Sequence, residues 1–184
     1  VFNEEEVRKM ATSGVNALAA MQLSDGGWGW FSGWGERSWP HTTATVVHGL
    51  QIAKANDIAL PANMLERGTE WLKGYQLEQI RWLKNAATKT NPYKEHCDNI
   101  YAMVYMTLVD GNVDNTEMRD FLYRDRTHLA VYAKAMFGLA LFKQKQQEKL
   151  DMIMQNIEQY LVSDDENQTA YLRMPESNNW WYWH

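Results

Sequence analysis

Residues 22–40, QLSDGGWGWFSGWGERSWP, carry four tryptophans and five glycines in nineteen positions. Glycines at this density interrupt a helix and supply turns, whereas tryptophans at this density demand cover from water. The segment before it has apolar residues at helical spacing on one face, and the segment after it is small or apolar nearly all round. A loop between two such helices marks a crossing between a layer that meets water and a layer that does not. That crossing decides the fold.

Upstream, the spacing predicts a helix over 3–22, with Asn3 as N-cap and Glu4, Glu5 and Glu6 in the first turn, where carboxylates oppose the helix dipole. Its apolar stripe is Val7, Met10, Val15, Leu18 and Met21. Downstream, Pro40 starts a helix through HTTATVVHGLQIAKAN that Asn56 and Asp57 end. PANMLERGTEWLKGYQLEQIRWLKN is amphipathic, DNIYAMVYMTLV nearly all apolar, and a short polar helix covers NTEMRDFLYRD. RTHLAVYAKAMFGLALFKQ is again small and apolar, QEKLDMIMQNIEQYLV is amphipathic, and SDDENQTAYLRMPESNNWWYWH reads as a second aromatic loop. Strand-like alternation is nearly absent.

Apolar and amphipathic helices therefore take turns, in units of roughly 45 to 50 residues. Helices rich in Ala, Gly and Thr pack closely as an inner layer, while helices with one charged face form an outer one. The expected fold is all-α, an incomplete α/α toroid of alternating inner and outer helices, with both aromatic loops at one end. Residues 1–184 read as one such domain. The start at Val1 and the aromatic run at the end read as cuts from a larger multidomain protein.

The formal net charge of −5 argues against a broad basic face for nucleic acid. No stretch approaches the ~18 consecutive apolar residues that span a bilayer, and VFNEEEVRKM has no signal-peptide pattern. Cys97 is the single cysteine, so neither an internal disulfide nor a cysteine metal cluster can form.

Two motifs carry a resemblance. LAAMQLSDGGWGWF followed by SWPHTTATVVHGLQIAKAN resembles the Gln, Asp-Gly-Gly-aromatic loop and following inner helix of α/α-toroid proteins. Within that set, WGWFSG, TAYL and NNWWYWH are most similar to the thioester domain of bacterial α2-macroglobulins. The motif residues are Gln22, Asp25, Gly26, Gly27, Trp28, Trp30 and Phe31 in the first loop and Trp180, Trp181, Tyr182 and Trp183 in the last. The resemblance implies a secreted or periplasmic endopeptidase inhibitor that encloses proteases. Its partners would be the target proteases and the other domains of the parent, and it would need no cofactor. In many members a Cys-x-Glu-Gln thioester upstream of the Asp-Gly-Gly loop links covalently to the protease. Cys97 lies downstream and lacks the Glu-Gln, so the thioester role is not carried onto it. Either the motif precedes Val1 or the protein belongs to members without one.

Residue by residue, the chemistry is sparse. The tryptophans of the first loop could bind a sugar or a cation, yet large aromatics are more often packing residues, and the loop reads as an aromatic plug. His41 and His48 share a helix face but stand about 10 Å apart along it, too far for one ion. His96, Cys97 and Asp98 are adjacent at a helix start and cannot converge on a tetrahedral metal; Asp98 reads as an N-cap and Cys97 as a small buried hydrophobe. Asp164, Asp165 and Glu166 lie in a polar loop, where an acid is solvated, and Asn167-Gln168-Thr169 matches a glycosylation sequon that recurs by chance. There is no Gly-x-Ser-x-Gly, phosphate loop or His-Glu-x-x-His, and no metal site is expected.

Two other readings stay open. Gln-x-x-Asp-Gly-Gly-Trp also resembles the Gln-Trp repeats of terpene cyclases, although the acid motif of those enzymes and the zinc set of prenyltransferases are missing. A carbohydrate-acting toroid would need paired carboxylates ~5–10 Å apart, for which Asp25 and Glu36 are the candidates in the loop.

Overall fold

The computed structural model describes residues 3–31 and 35–173. Among these the chain is all-α apart from one small hairpin. Helices α1 (Glu4–Met21), α2 (Pro40–Ala55), α3 (Met64–Ala86), α4 (Asn99–Asp110), α5 (Thr116–Arg124), α6 (Val131–Lys143) and α7 (Gln147–Glu158) follow in order, with a 3-10 turn at Arg126–His128 before α6.

The helix starts follow local chemistry. Asn3 accepts from the Glu6 N–H while Glu6 reaches back to the Asn3 N–H, a full capping box. Asp98 caps α4 through the N–H groups of Ile100 and Tyr101, Asn115 caps α5 through Met118, and Pro40 opens α2.

Helices α2, α4 and α6 form one layer, with α4 in the middle. The Ala130 N–H donates to Asn99 Oδ1 at 2.9 Å and Lys143 Nζ donates to the Asp110 carbonyl at 2.8 Å, so α4 and α6 run parallel with starts and ends matched. At the far end of α2, Gln51 Nε2 reaches the Thr107 carbonyl on α4 at 2.9 Å. Amphipathic α3, α5 and α7 return along the outside. Helix α4 divides its faces: Tyr101, Tyr105 and Val109 belong to a core shared with α5, α6 and α7, while Val104 and Leu108 belong to a core shared with α1, α2 and the start of α3. A helix with two buried faces must be apolar all round, as this one is.

Three expectations need correction. On α1, Val15 is buried and Leu18 packs against the core, whereas Val7 and Met10 are exposed. Met21 is exposed as well; the helix joins the core by the C-terminal half, where the core around Trp28 lies, while Arg8 Nη1 donates to the Asn56 carbonyl at 3.5 Å. The stretch 126–144 is a 3-10 turn and a helix, broken at Leu129 and Ala130, which are extended. The break buries Leu129 and gives the Ala130 N–H to Asn99. Third, α7 stops at Glu158, and Leu161–Asp164 pairs antiparallel with Thr169–Leu172 as strands β1 and β2, with Val162 opposite Tyr171. The second aromatic loop thus begins as a hairpin, whose four-residue strands are too short to reveal a period of two. Residues 174–184, with Trp180, Trp181, Tyr182 and Trp183, lie outside the described residues.

Gly68 on α3 shows how tight the joint is. A Cβ there would meet Trp28 and Val47 atoms at 2.7 Å each. Gly68→Ala is expected to cost about 1–3 kcal/mol by overpacking. Trp28→Ala is expected to cost about 3–5 kcal/mol by leaving a cavity. Urea unfolding of the two variants checks both values.

Candidate functional site

The glycine and tryptophan loop is built as a clasp. Trp28 is 1% exposed, its indole inserted between α1, α2 and α3. Its Nε1 donates to the Leu18 carbonyl at 2.8 Å, closing the end of α1. Its backbone N–H donates to Thr43 Oγ1 at 3.0 Å, and its carbonyl accepts from the Trp39 N–H at 2.9 Å, fastening the start of α2. Gln22 Nε2 donates to the carbonyls of Gly26 and Met64, both at 2.9 Å, which ties the loop to the start of α3.

Asp25 is the polar hub of the clasp. One carboxylate oxygen accepts from the Gly27 N–H at 3.1 Å and from Ser38 Oγ at 2.6 Å, and the other accepts from Trp71 Nε1 at 3.0 Å. Partial burial works to raise its pKa, but the bonds from Ser38, Gly27 and Trp71 outweigh it and hold the carboxyl below its usual range. Gly26 has φ +99°, and a Cβ on it would lie 2.7 Å from the Arg67 carbonyl oxygen; one on Gly27 would lie 2.4 Å from Ser38 Oγ. Both glycines are demanded by close approach, and Gly26 by its positive φ as well.

Trp30 and Phe31 fare differently: they are 61% and 76% exposed. Among the described residues the plug is therefore one tryptophan deep. Glu36 holds the segment by accepting from the backbone N–H groups of Trp30, Phe31 and Arg37. Asp25 and Glu36 thus spend their oxygens on the loop backbone, Ser38 and the Trp71 indole of α3.

Beside the clasp lies an open cleft of about 640 Å³ at the starts of α2 and α4. Trp39, Trp71, Tyr75, Trp82, Tyr93 and Tyr101 give it aromatic walls, and Arg37, Glu78, Lys94 and Asp98 give it a balanced set of charges. Trp71 and Tyr75, one turn apart on α3, stack at 5.9 Å with planes 5° apart, and Trp82 meets Tyr93 edge-on at 4.9 Å. Arg37 lies 4.1 Å over Trp39 and Lys94 lies 5.0 Å over Tyr101. Tyr101 donates to Gln79, and burial pushes the Tyr75 and Tyr101 hydroxyls well above the ordinary tyrosine range. Asp98 caps α4 with one oxygen and pairs with Lys94 through the other. The cleft offers flat rings and hydrogen bonds to a ligand, with no activated nucleophile among its lining residues. The sequence singled out the loop tryptophans and missed this cleft. Its signal is Trp71, Tyr75, Glu78, Gln79 and Trp82 on one face of a single helix.

A second polar cluster joins residues far apart in sequence. Asp125, 2% exposed, accepts from Arg124 Nε and Nη2 at 2.8 and 2.6 Å, from the Cys97 N–H at 2.8 Å, and faces His96 Nδ1 at 3.2 Å. Burial works to raise its pKa, yet these bonds hold it at about 2. The His96 ring lies 4.5 Å from that of His128. Cys97 is buried, and burial together with the Asp125 charge pushes its thiol far above the ordinary range. His41 and His48 sit on α2, where His48 Nδ1 comes within 3.5 Å of an Asp110 oxygen. Asp164 caps the hairpin turn from a solvated position, accepting from the Asn167 side-chain and backbone N–H groups.

No protein-family model and no curated protein matches the sequence. Among solved structures, the chain is similar to the native α2-macroglobulin of Escherichia coli spanning the residues from domain MG7 to the C-terminus, with a TM-score of 0.59 and 18% identity over 84% of this chain. The chain spans about a quarter, 24%, of the length of that solved chain. The likeness is one of fold.

The lowered pKa of Asp25 sets a sign. Its contribution to stability is complete above the ordinary carboxylate range and is lost as the pH falls through the folded-state value. Asp25→Asn is expected to flatten the acid limb of a melting-temperature profile below about pH 4. An unchanged limb would show that the three donors do not distinguish the charged form.

Proposed function

We propose that the chain is an α/α-toroid domain of a macroglobulin-like endopeptidase inhibitor, the domain that houses or replaces the thioester region. The observation that carries this reading is the common fold with part of the E. coli α2-macroglobulin over 84% of the chain. Two layers of helices in alternation, with parallel α2, α4 and α6 inside, support the same reading. Residues 1–184 act in it as one domain of a larger protein that is secreted or held in the periplasm. No helix among the described residues is long and apolar enough to cross a membrane.

In this reading the chain does no catalysis. Its cleft, rich in Trp and Tyr as interface centres are, is the face presented to a neighbouring domain of the parent. Cys97, walled in and held as a thiol, is unsuited to thioester chemistry. The parent, incubated with a broad-specificity protease, is expected to enclose it, and a high-mass adduct on a denaturing gel that methylamine pretreatment abolishes would indicate a thioester trap. A protease shielded from large inhibitors without any adduct would indicate a steric trap with no thioester. A protease left free and fully accessible would remove the inhibitor reading. The chain alone, lacking bait and enclosing domains, is expected to leave trypsin-like proteases unslowed.

One observation favours a second reading, a sugar-binding module: the Trp71 and Tyr75 rings, stacked along α3 beside hydrogen-bonding side chains. Tryptophan emission titrated with oligosaccharides decides it, since an unchanged spectrum at millimolar sugar would discard the module.

A further inference from the structure

We propose that His96, Asp125 and His128 form a binding site for a zinc-type transition-metal dication. The three side chains each bring one donor atom within 4.8 Å of the others, two imidazole nitrogens and a carboxylate oxygen. Such a donor set suits Zn²⁺, and three protein ligands leave a coordination position for water.

The fold assembles the set from two segments. Asp125 precedes the 3-10 turn and His128 ends it, positions i and i+3 eclipse one another there, and the His128 N–H donates to the Asp125 carbonyl at 2.9 Å. His96 comes from the segment before α4, held there by the Cys97 N–H bond to Asp125 Oδ2. Asp125 is the fixed ligand, since it is buried. The two histidines are the adjustable ones, since both are exposed.

Ligand atoms around tetrahedral zinc, at ~2.0–2.2 Å from the metal, stand roughly 3.3 Å apart. Rotation of the exposed imidazoles would close the remaining gap of at most about 1.5 Å. Arg124 engages one side of each Asp125 oxygen. The ion therefore takes the side of Oδ1 that now faces His96 Nδ1, and His96 gives up that bond to ligate. The guanidinium beside the carboxylate weakens the attraction for a dication, so the site belongs among weak, exchangeable ones. Binding would cross-link the segment before α4 to the corner between α5 and α6.

The test is calorimetric titration of ZnCl₂ into the full chain, set beside His128→Ala, His96→Gln and the double variant, with circular dichroism to confirm the fold of each. Exposed histidines can be replaced without disturbing the core, so the variants are expected to fold. The native chain is expected to take up one Zn²⁺ with release of heat that His128→Ala and His96→Gln each weaken about tenfold or more. Co²⁺ in place of Zn²⁺ is expected to give visible absorption bands that the double variant loses. No uptake by the native chain at millimolar Zn²⁺, or uptake that the double variant keeps unchanged, would overturn the proposal and leave Asp125 as a structural tie.

Discussion

The joint made by Trp28 and Asp25 is the constraint on which the first half of the structure depends. Trp28 fills the space between three helices, and the eleven residues after it must return to the start of α2 without unseating it. Asp25 makes this possible by gathering a backbone N–H, a serine hydroxyl and an indole N–H onto one carboxylate. Glycine is needed twice because the loop backbone lies against Arg67 and Ser38 with no room for a side chain. The clasp also sets the cleft next to it, since Trp71 is both a ligand of Asp25 and a wall of that cleft.

Helix α4 plays the matching part in the second half. Its two buried faces join the cores, and its ends are fastened to α6 at Asn99 and Asp110. Just before it, Asp98 and Asp125 hold charges in ordered networks, one through Lys94 and helix N–H groups, the other through Arg124 and Cys97. Buried or half-buried carboxylates persist only with such partners. Both networks cluster at one end of the layer, where the loops converge and where the candidate sites lie.

Several features were legible because they rest on neighbours in sequence. The caps at Asn3 and Asp98 and the proline at the start of α2 follow from side chains reaching one to three residues along the chain. The alternation of apolar and amphipathic helices announced two layers, because a helix enclosed on both sides and a helix half in water carry different residues. The hairpin at Leu161–Leu172 was not legible, since strands of four residues carry too little periodicity. Nor was the break at Leu129, where the reward for leaving the helix is paid by Asn99, thirty residues away.

The sequence by itself determined the helical class, the layering and the structural use of the Asp-Gly-Gly-Trp segment, since composition, periodicity and close packing around glycine act locally. Only the tertiary structure decided that Trp30 and Phe31 face solvent while Trp28 is enclosed, because burial depends on what other helices cover. Only it brought Trp39 to the face of α3 that carries Trp71 and Tyr75, and His96 to Asp125 and His128. Side chains some thirty residues apart share no local rule. Their meeting is set by how α3, α4 and α5 pack, and that packing is a property of the whole chain.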